Sequence, residues 1–442
     1  MMTARKLPLL SAAAPDAPIA CWQDRIVSRA AFLRQVAGVA RALPSARFIL
    51  NLCEDRYRFM VAFAAAGING QTSLLPSSRA ALQVDQLTED YPDSARIHDK
   101  DLERWLAQHA PDDTLLPTPE LPGDHVMAIA FTSGSTGRAK PNPKRWSELI
   151  NGARQARQRF GFNDGLTIVA TVPPQHMYGL ETSIMAPLAS GVCVYAGRPF
   201  FPADVRAALN DAPLRRVLVT TPIHLQACVR AELHWPKIAW VISATAPLSL
   251  ELATQAEQAF NAPVLEIYGC TEAGSIASRR PLDSDRWRLY DGFRLEGHGV
   301  LTGAHLPEPT PLSDVIEACG GDEFRLLGRC EDLVNIAGKR NSLAYLNHQL
   351  NQITGVVEGV FMLPDGIDNE AGRLAAVVVA PGLSERQLLA ALAERVDPVF
   401  LPRPLLKVQT LPRNETGKLT RESLLALLKP AHSTTTESAD EF

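Results

Sequence analysis

Residues 131–140 read Phe131-Thr132-Ser133-Gly134-Ser135-Thr136-Gly137-Arg138-Ala139-Lys140. Glycines let backbone N–H groups turn towards an anion, the hydroxyl side chains add donors, and Lys140 adds a positive charge. An apolar run from Val126 to Phe131 comes directly before the glycines and predicts a buried strand that leads into this loop. The stretch favours a loop that binds a polyphosphate, although a solvated linker uses the same residue types.

The spacing between glycine and lysine separates this loop from the Walker A motif. In a Walker A loop the lysine follows the last glycine directly, whereas two residues stand between Gly137 and Lys140. A P-loop nucleoside triphosphatase is therefore excluded.

Length and composition describe an ordinary globular enzyme of more than one domain. The chain has 442 residues, for which two or three domains are expected, and it is 46% hydrophobic and 21% charged. A net charge of −4 gives no indication of a nucleic-acid partner. No apolar run reaches the roughly 18 residues that a membrane span needs.

The cysteines and the N-terminal segment favour a cytoplasmic location. The seven cysteines are scattered and contain no C-x-x-C pair, which indicates reduced thiols rather than a zinc site or a disulfide framework. The apolar part of the N-terminal segment, residues 7–14, is short for a signal peptide and holds a proline, so secretion is not expected.

Strands and helices are predicted to alternate in the middle of the chain. Each of the first four strands is followed by a helical segment, and the runs that read as strands are Thr167–Val172, Val192–Tyr195, Arg216–Thr220, Ile238–Ser243 and Pro263–Tyr268. Continuously apolar, β-rich runs are typical of parallel strands that helices cover on both faces. The sequence therefore predicts an α/β fold with parallel sheets flanked by helices.

The pattern changes after Arg279. Short strands follow one another over about residues 283–329 with no helix between them, which predicts a small antiparallel β subdomain. After Arg329 strands and helices mix again, as in an α+β domain. We therefore predict an N-terminal core over 1–329, a smaller α+β domain over 330–430 and a disordered acidic tail over 431–442.

The first motif also resembles a known family signature. Thr-Ser-Gly-Ser-Thr-Gly-x-x-Lys is similar to the phosphate loop of the adenylate-forming superfamily, which comprises acyl- and aryl-CoA synthetases, nonribosomal peptide adenylation domains and luciferases. The usual proline before the lysine is Ala139 here. The resemblance implies that ATP phosphates contact Thr132, Ser133, Gly134, Ser135, Thr136, Gly137 and Lys140.

A second motif, Tyr268-Gly269-Cys270-Thr271-Glu272, follows a predicted strand. It resembles the superfamily's Tyr-Gly-x-Thr-Glu signature. That resemblance implies that Thr271 contacts phosphate, that Glu272 holds Mg²⁺ and that Tyr268 packs near the adenine, with Gly269 and Cys270 beside the acid. A carboxylate oxygen suits a hard cation on phosphates. The alternative is a plain turn that opens a helix, because acidic residues favour helix N-termini.

Two further segments stand at predicted strand ends, where ligands of α/β proteins gather. Ser243-Ala244-Thr245 resembles the small-residue segment beneath the adenine, and Ala244 would also line the acid pocket. In Pro173-Pro174-Gln175-His176-Met177-Tyr178-Gly179, the residues His176 and Gly179 resemble the family's pocket beside the acyl group. A structural histidine is the alternative for His176.

The later motifs match the superfamily in order. Asp314 resembles its ribose-binding aspartate, Arg329 its hinge arginine and Gly338 the loop that lines the thiol tunnel. Glu331 stands where the family hinge is usually Asp, and Asn335 replaces a common lysine. These positions imply a C-terminal domain that rotates about Glu331.

The last motif, Leu411-Pro412-Arg413-Asn414-Glu415-Thr416-Gly417-Lys418, resembles the terminal Leu-Pro-x-x-x-x-Gly-Lys of the superfamily. The resemblance implies that Lys418 binds the attacking carboxylate and the α-phosphate. As a bare turn with an exposed lysine it would carry no function. Six motifs in family order over residues 131–418 favour the superfamily reading.

The resemblance implies an ATP- and Mg²⁺-dependent ligase that joins a carboxylic acid to a thiol through an acyl adenylate. His176 favours a hydroxybenzoate-like aromatic acid, and a fatty acid is the alternative. The thiol is that of CoA or of an acyl carrier protein, since the short N-terminal part resembles compact ligases that load carriers. A catalytically silent AMP-binding regulator is the alternative from another class, and the presence of Glu272 and Lys418 speaks against it.

Overall fold

The computed structural model describes residues 5–108, 114–133, 139–213, 215–297, 299–303, 305–329, 333–336, 339–364, 373–414 and 419–428. The strands, in chain order, are β1 Lys6–Pro8, β2 Pro18–Trp22, β3 Arg25–Ser28, β4 Phe48–Asn51, β5 Thr72–Leu75, β6 Ser94–Ile97, β7 Glu120–Pro122, β8 Val126–Ser133, β9 Ala139–Arg145, β10 Leu166–Ala170, β11 Cys193–Tyr195, β12 Arg215–Thr220, β13 Trp240–Ser243, β14 Val264–Cys270, β15 Gly274–Arg279, β16 Trp287–Leu289, β17 Phe293–Glu296, β18 Val300–Gly303, β19 Thr310–Pro311, β20 Asp314–Gly320, β21 Glu323–Arg329, β22 Leu333–Ile336, β23 Lys339–Ser342, β24 Glu358–Met362, β25 Ala375–Val379 and β26 Leu405–Lys407.

The α-helices are α1 Arg29–Ala42, α2 Arg56–Ile68, α3 Ala81–Asp90, α4 Asp99–Ala107, α5 Trp146–Phe160, α6 Met177–Leu180, α7 Ala186–Ser190, α8 Pro202–Asp211, α9 Pro222–Arg230, α10 Leu250–Phe260, α11 Leu343–Asn351, α12 Glu385–Ala393 and α13 Arg421–Leu428. A π-helical turn, Glu181–Met185, joins α6 to α7, and Pro398–Phe400 forms a 3₁₀ turn. Within the described residues, no helix is both long and apolar enough to cross a membrane.

The chain divides into two compact units. Residues up to Leu312 together with Glu317–Arg325 form the first, and Ser313–Ile316 together with the residues after Arg325 form the second. The assignment of the first unit as an adenylation core and of the second as a mobile domain stays a prediction.

The larger sheet of the first unit has a parallel centre. Its strands β2, β11, β10, β12, β13 and β14 are parallel neighbours in that order. Val217, Leu218 and Val219 of β12 are fully buried, because helices cover both faces of the sheet. On one face α8, α9 and α10 pack against the strands through residues such as Leu209 and Phe260. The prediction of an α/β fold with parallel strands is confirmed.

A five-stranded sheet carries the stretch that opened the sequence analysis. Strands β6, β4, β5 and β8 are parallel, and β9 pairs antiparallel with β8 at the edge. The strand predicted from the apolar run before the glycines is β8. Its register with β9 places Thr132 opposite Lys140, so the two predicted phosphate-binding residues at the ends of the loop are cross-strand neighbours.

The short strands after Arg279 separate into two groups. Strands β17, β18 and β19 form a small antiparallel sheet, as predicted. In contrast, β16 and β21 extend the larger sheet beyond β15 by antiparallel pairing. The sequence alone did not separate these groups, because both consist of short strands without intervening helices.

The second unit has its own core. Strand β25 pairs antiparallel with β24 and parallel with β26. Helices α11 and α12 bury Leu350 and Leu388 in the same hydrophobic cluster as Val378. This arrangement of strands and helices agrees with the α+β pattern predicted after Arg329.

Candidate active site

The carboxyl ends of the parallel strands place several predicted site residues at one edge of the larger sheet. The register aligns Thr220, the last residue of β12, with Ser243, the last residue of β13, and Ser243 with Glu266 in β14. The segments that follow these strands therefore leave the sheet on the same side. The predictions that placed His176, Ser243 and Glu272 after strand ends all refer to this edge.

Tyr178 fixes the segment that carries His176 onto these strand ends. Its hydroxyl lies 3.2 Å from the carbonyl oxygen of Thr220 and 3.1 Å from that of Ile242. A phenol has one proton, so the two carbonyls share a single donor. The sequence predicted no role for Tyr178, because no local pattern indicates that its hydrogen-bond partners lie on two other strands.

Gly179 has a packing reason for being glycine. A Cβ at this position would lie 1.9 Å from the carbonyl oxygen of Pro173, so a side chain cannot fit without moving the backbone. His176 is half-buried immediately before α6. The structure thus explains Gly179 by close backbone approach, and the substrate roles of both residues stay predictions.

The segment Ser243-Ala244-Thr245 makes a strained turn. Ser243 and Ala244 are buried, and Thr245 has a φ of 83°, which is rare for a β-branched residue. Just beyond, the backbone N–H of Leu248 donates to the buried carboxylate of Glu266, which also pairs with Arg279 at 2.7 Å. Such strained positions gather at functional sites, which fits the predicted adenine-binding role of this segment.

The turn that carries Glu272 joins two strands. Strand β14 runs to Cys270 and the antiparallel β15 begins at Gly274, so the alternative in which this turn opens a helix is wrong. A Cβ on Gly269 would lie 2.2 Å from the carbonyl oxygen of Gly274, so the two strands approach too closely there for any side chain. The segment after Glu272 forms a strand instead of a helix because β15 pairs antiparallel with β14 in the larger sheet.

Tyr268 packs its ring on the same sheet. The ring centroids of Trp287 and Phe324 lie 5.6 and 5.8 Å from that of Tyr268. The aromatic residue next to Gly269 is thus held by neighbours on β16 and β21. Its predicted contact with an adenine stays a prediction.

Lys140 and Glu272 come together from the two sheets. The Nζ of Lys140 lies 3.9 Å from Oε1 of Glu272, and their side chains are 67% and 41% exposed. Lys140 belongs to β9 of the five-stranded sheet, whereas Glu272 belongs to the turn after β14 of the larger one. The predicted phosphate-binding cation and the predicted metal-binding carboxylate therefore occupy one place on the surface.

A second lysine, Lys144, contacts the same turn from the protein interior. Lys144 is only 5% exposed, and its Nζ donates to the backbone carbonyl of Glu272 at 2.5 Å. Burial lowers the pKa of Lys144, and the nearby carboxylates of Glu148, Glu181 and Glu272 oppose that shift. Sequence reasoning missed Lys144, although its spacing of four residues from Lys140 places both on one face of a strand.

Glu181, in the π-helical turn, holds the other side of the turn. Its carboxylate accepts hydrogen bonds from the backbone N–H of Ser275 at 3.1 Å and from the Ser275 hydroxyl at 2.5 Å. Burial raises the pKa of Glu181, while the bonds from Ser275 and the charge of Lys144 act in the opposite direction. Glu181 therefore supports the turn that carries Glu272, although no sequence motif indicated it, and π turns within helices are frequent at functional sites.

Several predicted residues cannot be placed in this arrangement. Asp314 lies in the second unit, and of Ser133 and Arg329 only the strand positions are described. The remaining ones lie outside the described residues, and they are Gly134, Ser135, Thr136, Gly137, Glu331, Gly338 and Lys418.

Comparison with known proteins agrees with this geometry. The family model described as AMP-binding enzyme matches residues 17–295. The chain belongs to this family of AMP-binding enzymes. It is 28% identical over 274 residues to a protein named 4-coumarate–CoA ligase from Rhodobacter capsulatus, a match that covers 62% of this chain and 68% of that one.

Two solved structures of adenylate-forming enzymes share the fold of this chain. ATP-bound MatB from Rhodopseudomonas palustris superposes with a TM-score of 0.81 at 18% identity, covering 94% of this chain and 96% of that one. The o-succinylbenzoate coenzyme A synthetase MenE from Bacillus subtilis, in complex with ATP and magnesium ion, gives 0.77 at 16% identity, covering 92% and 96%. The chain thus belongs to the AMP-binding enzymes and has the fold of the adenylate-forming enzymes.

Proposed function

We propose that this AMP-binding enzyme is an ATP-dependent carboxylate–thiol ligase that activates an aromatic, hydroxybenzoate-like acid. The observation that supports it best is the approach of Lys140 to Glu272. A polyphosphate needs cationic donors, and a carboxylate beside it can share a hard cation with the phosphate oxygens. Neither side chain would need to lie here for a fold-stabilising purpose, because exposed ion pairs contribute at most about 1 kcal/mol.

The donor set around Glu272 fits magnesium rather than a metal held by protein alone. Among the described residues, no group of three or more His, Cys, Asp or Glu side chains could hold a metal ion. Mg²⁺ keeps several water molecules and is commonly bound by one or two carboxylates together with substrate phosphates. Glu272 would supply the protein's oxygen, and the bound ion would neutralise charge on the polyphosphate.

In the first half-reaction, a carboxylate oxygen of the acid attacks the α-phosphorus of ATP. The bond between the α-phosphorus and the bridging oxygen breaks, and its electrons leave with pyrophosphate. Lys140 would stabilise the phosphate charge, and Lys418 would stabilise the oxygens that gather charge at the α-phosphorus. Tyr178 would keep the His176 segment at the strand ends, where the acid is expected.

In the second half-reaction, a pantetheine thiolate attacks the acyl carbonyl and AMP leaves with the bonding electrons. The thiol proton passes to solvent or to AMP. We propose that the C-terminal domain turns about Glu331 between the two steps and brings the Gly338 segment to the thiol, as hinge motions do in other enzymes. The acceptor is CoA or an acyl carrier protein.

The choice of an aromatic acid is supported by the family relationship and by His176. The relative from Rhodobacter capsulatus is named as a ligase of an aromatic acid. A half-buried imidazole beside the strand ends can donate a hydrogen bond to a polar ring substituent or pack against the ring edge. A medium- or long-chain fatty acid is the second candidate. The location is proposed to be cytoplasmic, consistent with the free thiols among the described cysteines.

Pyrophosphate release from ATP tests the proposal. The protein is assayed with 4-hydroxybenzoate, 4-coumarate, benzoate, octanoate and phenylalanine, each with CoA or a holo acyl carrier protein as acceptor. We expect release with the hydroxylated aromatic acids and a thioester in one acceptor series. Release only with octanoate would contradict the aromatic substrate. Absence of release with every acid, together with measurable AMP binding, would favour the silent regulator.

A further inference from the structure

Lys144 is the buried cation of the turn that carries Glu272. It is the second-to-last residue of β9, and its Nζ donates a hydrogen bond to the backbone carbonyl of Glu272 at 2.5 Å. Taking an ammonium group out of water costs free energy unless donors and charges around it compensate. A structural role in holding one carbonyl therefore does not by itself account for the free-energy cost of burying this lysine.

The turn formed by Thr271, Glu272 and Ala273 is held by side chains from distant segments. Glu181 binds Ser275 just after the turn. Lys144 binds the central residue, Glu272. Of these two supports, only Lys144 comes from β9, the strand that follows the predicted phosphate loop.

Lys140 and Lys144 lie on the same strand and contact the same residue, Glu272. Residues four apart in a strand point to the same face, and both lysines reach Glu272. Lys140 approaches its carboxylate and Lys144 its carbonyl. One strand therefore contacts the two ends of the same residue, and any shift of the turn relative to the strand would change both distances.

We propose that Lys144 is a positioning residue for the nucleotide site, which keeps the carboxylate of Glu272 in register with the strand that leads from the phosphate loop. The proposal rests on the proposed function, because it takes Glu272 as the magnesium-binding residue. Residues behind a metal ligand typically contribute 10- to 100-fold to metal affinity or activity. Lys144 is therefore expected to act on the magnesium-dependent part of ATP binding.

The alternative is that Lys144 only stabilises the fold. A matched control exists in Arg29, which is also a buried cation, 3% exposed, and donates to a backbone carbonyl, that of Ser11. Arg29 begins α1 and belongs to none of the segments around Glu272. Its replacement removes a buried cation and its bond to a carbonyl without touching the turn.

Calorimetry separates the two readings without relying on turnover. Binding of α,β-methylene-ATP is measured with Mg²⁺ and with EDTA for the wild type and for the variants Lys144→Met, Lys144→Arg and Arg29→Met. We expect Lys144→Met to lose 10- to 100-fold of the affinity that Mg²⁺ adds, with AMP affinity changed less than about twofold. Lys144→Arg keeps the cation and should recover most of the loss. Arg29→Met should lower the melting temperature and leave the Mg²⁺ effect unchanged.

A folded Lys144→Met protein that gains as much affinity from Mg²⁺ as the wild type overturns the positioning role. If that variant does not fold, Lys144→Gln carries the comparison, because the amide is uncharged and too short to reach the carbonyl. Glu272→Gln distinguishes this failure from that of the proposed function. If Mg²⁺ adds no affinity even to the wild type, the magnesium-binding role of Glu272 fails and the role of Lys144 fails with it. If the wild type binds the nucleotide neither with Mg²⁺ nor with EDTA, the proposed function itself is refuted. If Glu272→Gln loses the effect and Lys144→Met keeps it, only the role of Lys144 fails.

Discussion

The carboxylate of Glu181 occupies the space that a side chain at Gly274 would need. A Cβ on Gly274 would lie 2.2 Å from Oε1 of Glu181, and Gly274 has a φ of +75°. The π-helical turn that carries Glu181 therefore fits directly against the first residue of β15. Glycine at position 274 is required both by its backbone conformation and by the half-buried carboxylate of Glu181 beside it.

We expect Gly274→Ala to destabilise the protein by more than backbone strain alone. A left-handed conformation costs an alanine about 1–2 kcal/mol, and the overlap with Glu181 adds to it. Gly70→Ala is the matched control, because Gly70 has a φ of +70° and no atom within 4 Å of an added Cβ. Urea unfolding should give a larger loss of unfolding free energy for Gly274→Ala. Equal losses in the two variants would mean that Glu181 moves aside without cost.

The half-buried imidazole of His305 predicts a pH dependence of stability. Burial lowers the pKa of His305 to about 4, from an ordinary value of 6.5. Its nearby charge, that of Lys144, lowers the pKa further, and the bond to the backbone of Ala273 raises it. A pKa that is lower in the folded state means that stability is complete above pH 6.5 and is lost as the pH falls towards 4.

The measurement is the unfolding free energy of the wild type and of His305→Gln between pH 7.5 and 4. Both proteins lose stability as other groups titrate, so the informative quantity is their difference. We expect the wild type to lose about 1–3 kcal/mol more than His305→Gln over this interval, since one pKa unit corresponds to about 1.4 kcal/mol. Parallel curves would show that the imidazole becomes charged without cost in the folded protein.

Tyr178→Phe should separate binding of the acid from binding of ATP. The variant removes the only donor shared by the carbonyls of Thr220 and Ile242, so the His176 segment is held less firmly. We expect the KM for the acid to rise about 3- to 10-fold while the KM for ATP stays within twofold. Such a change corresponds to about 1 kcal/mol, the usual net contribution of one hydrogen bond.

Tyr57→Phe is the control for this prediction. Tyr57 is fully buried in α2, and its hydroxyl bonds to Gln35 at 2.6 Å in α1. Its replacement should cost stability and leave both KM values unchanged. If the KM for ATP rises in Tyr178→Phe as much as the KM for the acid, Tyr178 supports binding of both substrates and the prediction is wrong.

The elements that sequence predicted well are those with a local signal. The apolar run before Gly134 predicted a strand, and β8 is that strand. The glycines at positions 179 and 269 stand where another backbone segment approaches too closely for a side chain. Their predicted places beside the acid stay predictions.

The contacts that organise the site were not predictable in this way. Lys144 follows Pro143 in a stretch whose sequence gives little sign of a strand, and its partner lies 128 residues away in another sheet. Glu181 lies inside a run that reads as an ordinary helix, and its partner Ser275 is 94 residues away. Such pairs arise from how distant segments of the chain pack together, and local sequence patterns do not contain that information.

Lys418 carries the last prediction, which rests on the resemblance of residues 411–418 to the terminal motif of the superfamily. Lys418→Ala should slow pyrophosphate release about 10²- to 10³-fold, because a donor aimed at developing charge contributes that much to rate. Thioester formation from a supplied acyl adenylate should stay near the wild-type rate, because in that step the thiol attacks the acyl carbon and not the α-phosphorus. Lys407→Ala is a suitable control, because its Nζ donates to the carbonyl of Leu383 within the second unit. Stopped assays of each half-reaction give both rates. An equal loss in the two half-reactions would place Lys418 in general nucleotide binding, and an unchanged first step would remove it from the adenylation site.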